Sequence, residues 1–519
     1  MTLNRLTADV YDSDDVTINS STNVIQNSTN DQNIEKPDTN QEGFKTRKGE
    51  IDTTQCGSQT SKGTPVELEL QEDPKKMSPF RKWVIILVIS SASFCATCAS
   101  SMATSTETGV SRDFHVSKEV TILGISLFVE GLGIGPLLLG PLSEFFGRTP
   151  IYLTSYFFFL VFNFPVAFAP NIAVFLIFRF FTGFSSSAFL SVAGGSVSDL
   201  FDDENVANPM AIYTLSPFAG PIVGPLVSGF INQNVNWRWT YYVLIIWIFF
   251  ELVALYAFVP ETYAPVLRKK KARRLRKANE SENAKDEGNK SIFQAITVSC
   301  YKPFELLLFD RMALLLDLWS ALILGILYLA FQAFPIIFGE EHGFSTGLVG
   351  CTFLGIGLGL VLGTATQPLW NRVYKSYTVK HSGNPPPEMR LLMGMPGGIL
   401  VPLGLFIIAF TTFPGVHWIA PIIGSIPFGM GITFVYTAVF TYLVTAYRPI
   451  AASAMAANSF MRTSFAAAFP LFAPAMYHRL STVGATALLA GLCAIMAPLP
   501  FIFYKYGAQI RKKSKYAVS

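Results

Sequence analysis

The sequence predicts an all-α polytopic membrane protein. Three observations carry that expectation: a shortage of charge, apolar runs that recur at spanning length, and the placement of the basic residues. Half of the 519 residues are hydrophobic and 14% are charged, against about 25% charged in soluble domains. Of the 74 charged side chains, 50 fall within residues 1–82, 260–302, 366–390 and 505–519. The remaining 24 are spread over 354 residues, too few to solvate the surface of a folded domain of that length. Those residues face lipid, and soluble, collagen-like and wholly disordered chains are excluded.

The elements follow in order. Residues 1–80 are rich in Asn, Thr, Ser, Asp and Gln; they hold too little apolar surface to fold and are expected to form a disordered cytoplasmic tail. From Trp83 onward, runs of about 20 apolar residues recur, the length that crosses the hydrocarbon core. The expected spans are 83–103, 120–140, 150–169, 172–194, 209–231 and 240–259, then 313–335, 346–366, 390–411, 417–440, 451–473 and 483–505. This gives an N-terminal six-helix bundle over 81–260, a cytoplasmic central loop over 261–311, a C-terminal six-helix bundle over 312–505 and a basic tail over 506–519.

Lys and Arg set the orientation. Arg81, Lys82, the Arg268–Lys277 cluster, Arg372, Lys375, Arg390, Arg448 and Arg511–Lys515 share one side, against Arg112, Lys118, Arg238 and Arg479 on the other. The positive-inside bias places both termini in the cytoplasm. A net charge of +4 without a single basic face gives no expectation of nucleic-acid binding. Cys95 and Cys98 form a CxxC inside an apolar run, where small packing residues one turn apart are expected rather than a redox or zinc pair. No phosphate-binding loop of the GxxxxGK[ST] type occurs, so transport energy would come from an ion gradient or from the substrate's own gradient. Two sets of six runs joined by a polar loop match a recurrent transporter plan, with the substrate site between the halves.

Charge inside hydrocarbon is costly, about 2.5–3.5 kcal/mol for an unpaired central side chain, so each such residue is a functional candidate. Five fall within the expected spans: Glu130, Arg179, Glu251, Asp317 and Arg462. Of these, Glu130, Arg179, Asp317 and Arg462 are the candidates for proton coupling, because a desolvated carboxyl group can carry a proton and a buried guanidinium requires an anion or carbonyl oxygens nearby. Small residues form a second pattern: Gly131, Gly133 and Gly135; Gly220, Pro221, Gly224 and Pro225; and Gly355, Gly357, Gly359 and Gly363. Glycines at this spacing let helices approach closely, and proline bends a span where neighbours satisfy the freed carbonyls. Tyr328, Phe331 and Gln332 on the seventh run are candidate lining for a substrate cavity.

The segment Gly140-Pro-Leu-Ser-Glu144-Phe-Phe-Gly147-Arg148-Thr-Pro150 resembles the cytoplasmic signature of the major facilitator superfamily in its fungal form, GPLSExxGRRP. Further resemblances run along the chain: Arg179-Phe-Phe-Thr-Gly183, Gly220-Pro-Ile-Val-Gly224-Pro, Asn236-Trp-Arg-Trp-Thr, Pro260-Glu-Thr-Tyr and Ala457-Asn-Ser-Phe-Met-Arg462. Together, over about residues 80–515, they resemble the fungal drug:proton antiporters of twelve spans. The resemblance implies the major facilitator fold, with two six-helix bundles rocking about a central cavity. It also implies a conformational latch of Gly140, Glu144, Gly147, Arg148 and Asp199, in which Glu144 docks near the start of the eleventh helix and Arg148 pairs with Asp199. Arg179 would take part in proton coupling, and Gly220, Pro221, Gly224 and Pro225 would form the antiporter motif. The chain departs from the pattern at Thr149, where the family places a second arginine, at Thr445, where many relatives carry Asp, and at Glu130, where many are apolar.

The expected function is proton-coupled export of drugs, toxins or secondary metabolites by alternating access, in the plasma membrane or alternatively the vacuolar membrane. A carrier for a polyamine or an organic acid is the alternative within the fold, and a non-transporting sensor the alternative outside it. No catalytic triad, metal cluster or cofactor motif appears, so an enzyme is not expected. The expected partners are a small-molecule substrate, protons and the lipid bilayer, with the chain acting as a monomer.

Overall fold

The structure, a computed structural model, describes residues 73–201, 207–278, 292–380, 385–413, 415–512, 514, 516 and 517. Residues 1–72 of the expected tail and 279–291 of the expected central loop lie outside the described residues. Among the described residues every regular element is helical.

Among the described residues, eleven helices are long and apolar enough to cross a membrane: Pro79–Phe114, Lys118–Phe146, Arg148–Ala167, Ile172–Leu200, Asn208–Asn234, Arg238–Phe258, Arg311–Glu341, Thr346–Lys380, Pro387–Thr411, Ile419–Ala446 and Ala451–Arg511. The last has 61 residues. At 1.5 Å per residue it would run about 90 Å, roughly three times the hydrocarbon thickness. Ser481, at φ 63° and ψ 166°, breaks it, so 451–480 and 482–511 are the eleventh and twelfth spans. Twelve crossings in two sets of six match the expected architecture, and the first crossing extends to Phe114 rather than ending near residue 103. Between the sixth and seventh spans lie two further helices, Ala264–Ala278 and Ile292–Phe309.

Local chemistry sets where the spans begin. Pro79 occupies the first turn of the first span, where its missing N–H removes no helical bond. The Asn171 side chain caps the fourth by accepting from the Val174 amide at 2.9 Å, and Asp310 caps the seventh by accepting from the amides of Met312 and Ala313 at 3.0 and 3.1 Å. Each half has its own core. One gathers Ile85, Phe128, Tyr152, Tyr156, Phe189 and Leu244 from the first six spans; the other gathers Trp319, Phe331, Phe353, Val401 and Tyr436 from the last six. Ala103, Ile125, Val129 and Ile222 belong to the first half in sequence yet pack into the second core, and these residues mark the surface where the halves meet.

Among the described residues the halves touch at several pairs of spans. Gly133 of the second lies against Thr463 of the eleventh, and Gly350 of the eighth against the Pro225–Leu226 backbone of the fifth. Ser100 of the first and Tyr328 of the seventh share a hydroxyl hydrogen bond at 2.9 Å. Near the face opposite the start of the first span, Gln233 Oε1 also accepts from the Gly347 amide at 3.1 Å.

Candidate functional site

A group of buried polar side chains lies between the seventh and eleventh spans. Asp317 and Ser320 are three apart on one helix, and Asn458 and Arg462 four apart on the other, so each pair occupies one helix face. Asp317 is 0% exposed. Asn458 Nδ2 donates to Asp317 Oδ1 and to Ser320 Oγ, both at 2.8 Å. The Arg462 guanidinium sits over the rings of Tyr436 and Phe440 at 5.4 and 4.8 Å, and Tyr436 donates to the Ser320 carbonyl at 3.3 Å. Phe218 of the fifth span stacks on Tyr436 at 4.9 Å, joining the cluster to the other half. Three buried polar atoms here have no partner: Asp317 Oδ2, Asn458 Oδ1 and Arg462 Nε. Buried groups of this kind are nearly always satisfied. A proton on Asp317 would convert one orphan acceptor into a donor and discharge the carboxyl group.

Glu130 lies on the surface between the halves, part-buried, with Ser464 of the eleventh span donating to its Oε1 at 3.3 Å. Arg179 is 0% exposed and wholly within the first half. Its Nε donates to the Gly124 carbonyl at 2.9 Å, and both terminal nitrogens donate to the Ala99 carbonyl at 3.3 Å. Its guanidinium lies 4.4 Å from the Phe128 ring centre. Among the described residues it has no ion pair; carbonyl oxygens and a ring face hold the charge and tie the first, second and fourth spans together. Glu251 is buried beside the first span, accepting from Ser91 at 2.5 Å and Trp247 at 3.2 Å.

The seventh-span candidates fall on the surface between the halves. Tyr328 meets Ser100 as above, and Phe331 packs on Tyr328 and Phe353 with ring centres 5.1 and 5.5 Å apart. Gln332 Nε2 donates to Glu107 Oε1 at 2.5 Å. Glu107 is a buried carboxyl group that hydropathy misses, because the apolar run stops before it. The chain continues through a 3-10 turn, Met102–Thr106, into the helix Glu107–Phe114, which carries Glu107 into the protein.

On the face where the first span begins and the last ends, Arg148 Nε donates to Asp199 Oδ2 at 3.2 Å and its NH1 group to Ser143 Oγ at 2.7 Å, with the Tyr263 ring 4.7 Å away. Glu261 is the organising residue that sequence reasoning left without a role. Its carboxylate accepts from the amides of Arg148 and Thr149, at 2.9 and 3.2 Å, and from those of Thr262 and Tyr263, at 3.1 and 2.9 Å. It thereby caps the third span, where a negative charge is favoured. Gly147 permits this: it has φ 101°, and a Cβ there would collide with Glu261. Glu144 is exposed; burial first, and its charge second, push the Tyr263 phenol up. Nothing lies within 4 Å of where a Cβ on Gly140 would sit. In the fifth span Gly220 and Gly224 face the first span, at Thr97–Cys98 and Ser101–Met102, while the Pro225 carbonyl lies against Gly350. Of the eighth-span glycines, Gly355, Gly359 and Gly363 pack on the tenth span and Gly357 on Ile222 of the fifth.

A twelve-span, two-half helical protein with ionisable groups buried at and beside the contact between halves has the architecture of a secondary transporter. The sequence pattern of the Major Facilitator Superfamily matches residues 89–470, and the chain belongs to that superfamily. It is 44% identical over 453 residues to the efflux pump atB of Aspergillus terreus, covering 86% of this chain and 87% of the relative. It is 42% identical over 448 residues to the probable drug/proton antiporter YHK8 of Saccharomyces cerevisiae, covering 85% and 87%. Among solved structures, the proton:xylose symporter XylE matches with a TM-score of 0.61 at 15% identity, covering 83% of this chain and 96% of that one. At that identity the likeness concerns the fold.

Proposed function

We propose that this protein is a proton-coupled antiporter that exports small organic compounds such as drugs, toxins or secondary metabolites by alternating access, and that it is a transporter rather than an enzyme. The observation that carries the reading is the buried Asp317–Asn458–Arg462 cluster, with an unpartnered carboxyl oxygen in the second half; the efflux and antiport activities named for the relatives support it. Asp317 and Glu130 are the proton carriers in this reading. Arg462 and Arg179 supply fixed positive charge, and Tyr328, Phe331 and Gln332 line the path between the halves. Gly140, Glu144, Gly147, Arg148 and Asp199 act as the latch of the cytoplasmic face, and Gly220, Pro221, Gly224 and Pro225 fix the fifth span for export. The Lys and Arg distribution supports cytoplasmic termini, in a plasma-membrane protein that works as a monomer.

The test uses the full chain in proteoliposomes with an imposed pH gradient and a lumenal pH dye. Lipophilic dyes, a polyamine and a dicarboxylate are added in turn. Compound-dependent proton flux is expected with the lipophilic compounds and is expected to be lost in Asp317→Asn and Glu130→Gln. Undiminished flux in both variants would remove the coupling assignment. Flux with spermidine or a dicarboxylate alone would replace multidrug export by a dedicated carrier.

A further inference from the structure

The buried carboxyl group of Glu107 stands apart from the proton-carrying cluster and from the cytoplasmic latch. It is 6% exposed, and its hydrogen-bond partner, Gln332, belongs to the opposite half of the protein. The Ser100–Tyr328 contact lies deeper on the same pair of spans, two turns away along the first and one along the seventh. The Gln233–Gly347 contact closes the fifth and eighth spans at the same face. With cytoplasmic termini, that face is external. We infer that Glu107 and Gln332 form a proton-operated outer gate: Glu107 takes a proton from the external solution while the halves are apart, and the neutral carboxyl group allows them to close upon it.

The groups around Glu107 support that direction. Gln332 faces it from the seventh span, its charge reaches Tyr241 of the sixth, and Lys118 acts on it from the start of the second. The fifth span contributes the neutral Ser228 to Ser105; the helix of Glu107 carries Arg112 and Asp113, with His115 at its C-cap. None of these forms an ion pair with Glu107 among the described residues, and its side-chain hydrogen bond there comes from a neutral amide. Enclosing an ionised carboxylate with a single neutral donor costs more in lost hydration than the hydrogen bond returns. The ionised form therefore favours separated halves, where water reaches it, and the protonated form favours closure. Closure after external protonation is the order that antiport requires. The proton enters as substrate leaves on the outside, and the closed, protonated protein then opens inward. The inference rests on the antiport reading for its physiological meaning, but its test needs neither substrate nor gradient.

Spin labels placed on the full chain at His115→Cys and Glu340→Cys, both exposed positions on either side of the gate, report the separation of the first and seventh spans in nanodiscs. Between about pH 5 and pH 8, the ratio of closed to open populations should fall with rising pH by up to about tenfold per unit, the limit for one linked proton. Glu107→Gln, an uncharged mimic of the protonated acid, should remain closed at both pH values. Glu107→Asp should retain the response with a shifted midpoint. A parent with no pH-dependent change, or a Glu107→Gln protein that opens with pH as the parent does, overturns the inference. Should Glu107→Gln fail to fold, Gln332→Met tests the same contact from the other half: its closed population should fall at pH 5, and an unaltered distribution there overturns the inference equally.

Discussion

Adding one methyl group at Gly183 should disturb the first half more than any other single-carbon change in it. A Cβ there would lie 2.7 Å from the carbonyl carbon and 2.9 Å from the Cα of Phe128, and closer still to its carbonyl oxygen. These are backbone atoms and cannot swing aside. Restoring an ordinary 3.4 Å contact from 2.7 Å parts the second and fourth spans by about 0.7 Å. One turn away along the same two helices, Arg179 Nε donates to the Gly124 carbonyl at 2.9 Å. The same displacement stretches that bond to about 3.6 Å, beyond hydrogen-bond range. Overpacking costs about 1–3 kcal/mol and a buried donor left unmet about 1–3 kcal/mol, so Gly183→Ala should lose roughly 2–6 kcal/mol. The assay is thermal melting of the purified, detergent-solubilised protein, with efflux measured alongside. Gly491→Ala, where a Cβ meets nothing within 4 Å, is the control and should melt no lower than the parent. A Gly183→Ala protein that melts with the parent would refute the claim that backbone contact between these spans sets the Arg179 geometry.

Two further outcomes follow from the same geometry. Gly147→Ala combines a positive φ with a collision on Glu261, so it should cost about 1–3 kcal/mol of local strain and slow efflux while the protein still reaches the membrane; normal efflux would detach the Glu261 cap from transport. Asp317→Leu and Asn458→Leu should each destabilise by about 1–3 kcal/mol, because each strands the partner's buried polar group. The double variant should melt higher than the sum of the two losses predicts, whereas additive losses would show that the pair is not coupled.

Much of this molecule is written in its hydropathy, because a membrane demands about 20 apolar residues for each crossing. The first span shows the limit. Thr104, Ser105, Thr106 and Glu107 end the apolar run, yet the helix continues to Phe114 because those residues are enclosed by other spans rather than by lipid. Hydropathy measures the cost of meeting lipid and cannot register a polar residue that meets only protein. The candidate site divides in the same way. Asp317 and Arg462 were visible as charges in apolar surroundings, whereas Asn458 and Ser320, being neutral, left no comparable mark. The four-residue spacing of Asn458 and Arg462 was the available clue, since it places both on one helix face. Glu261 was part of a recognised motif, but its four backbone amide partners come from two segments that only the fold brings together.

The glycines of the fifth span have a consequence for the direction of transport. Gly220 and Gly224 rest on the first span, inside their own half, and the first span carries both Ser100 and Glu107 to the seventh. A bulkier residue at either glycine would tilt the first span before it disturbed any contact that the glycines themselves make with the other half. The contacts of Ser100 and Glu107 with the seventh span would then lose their alignment from behind, as a door fails when its frame is racked although the lock is untouched.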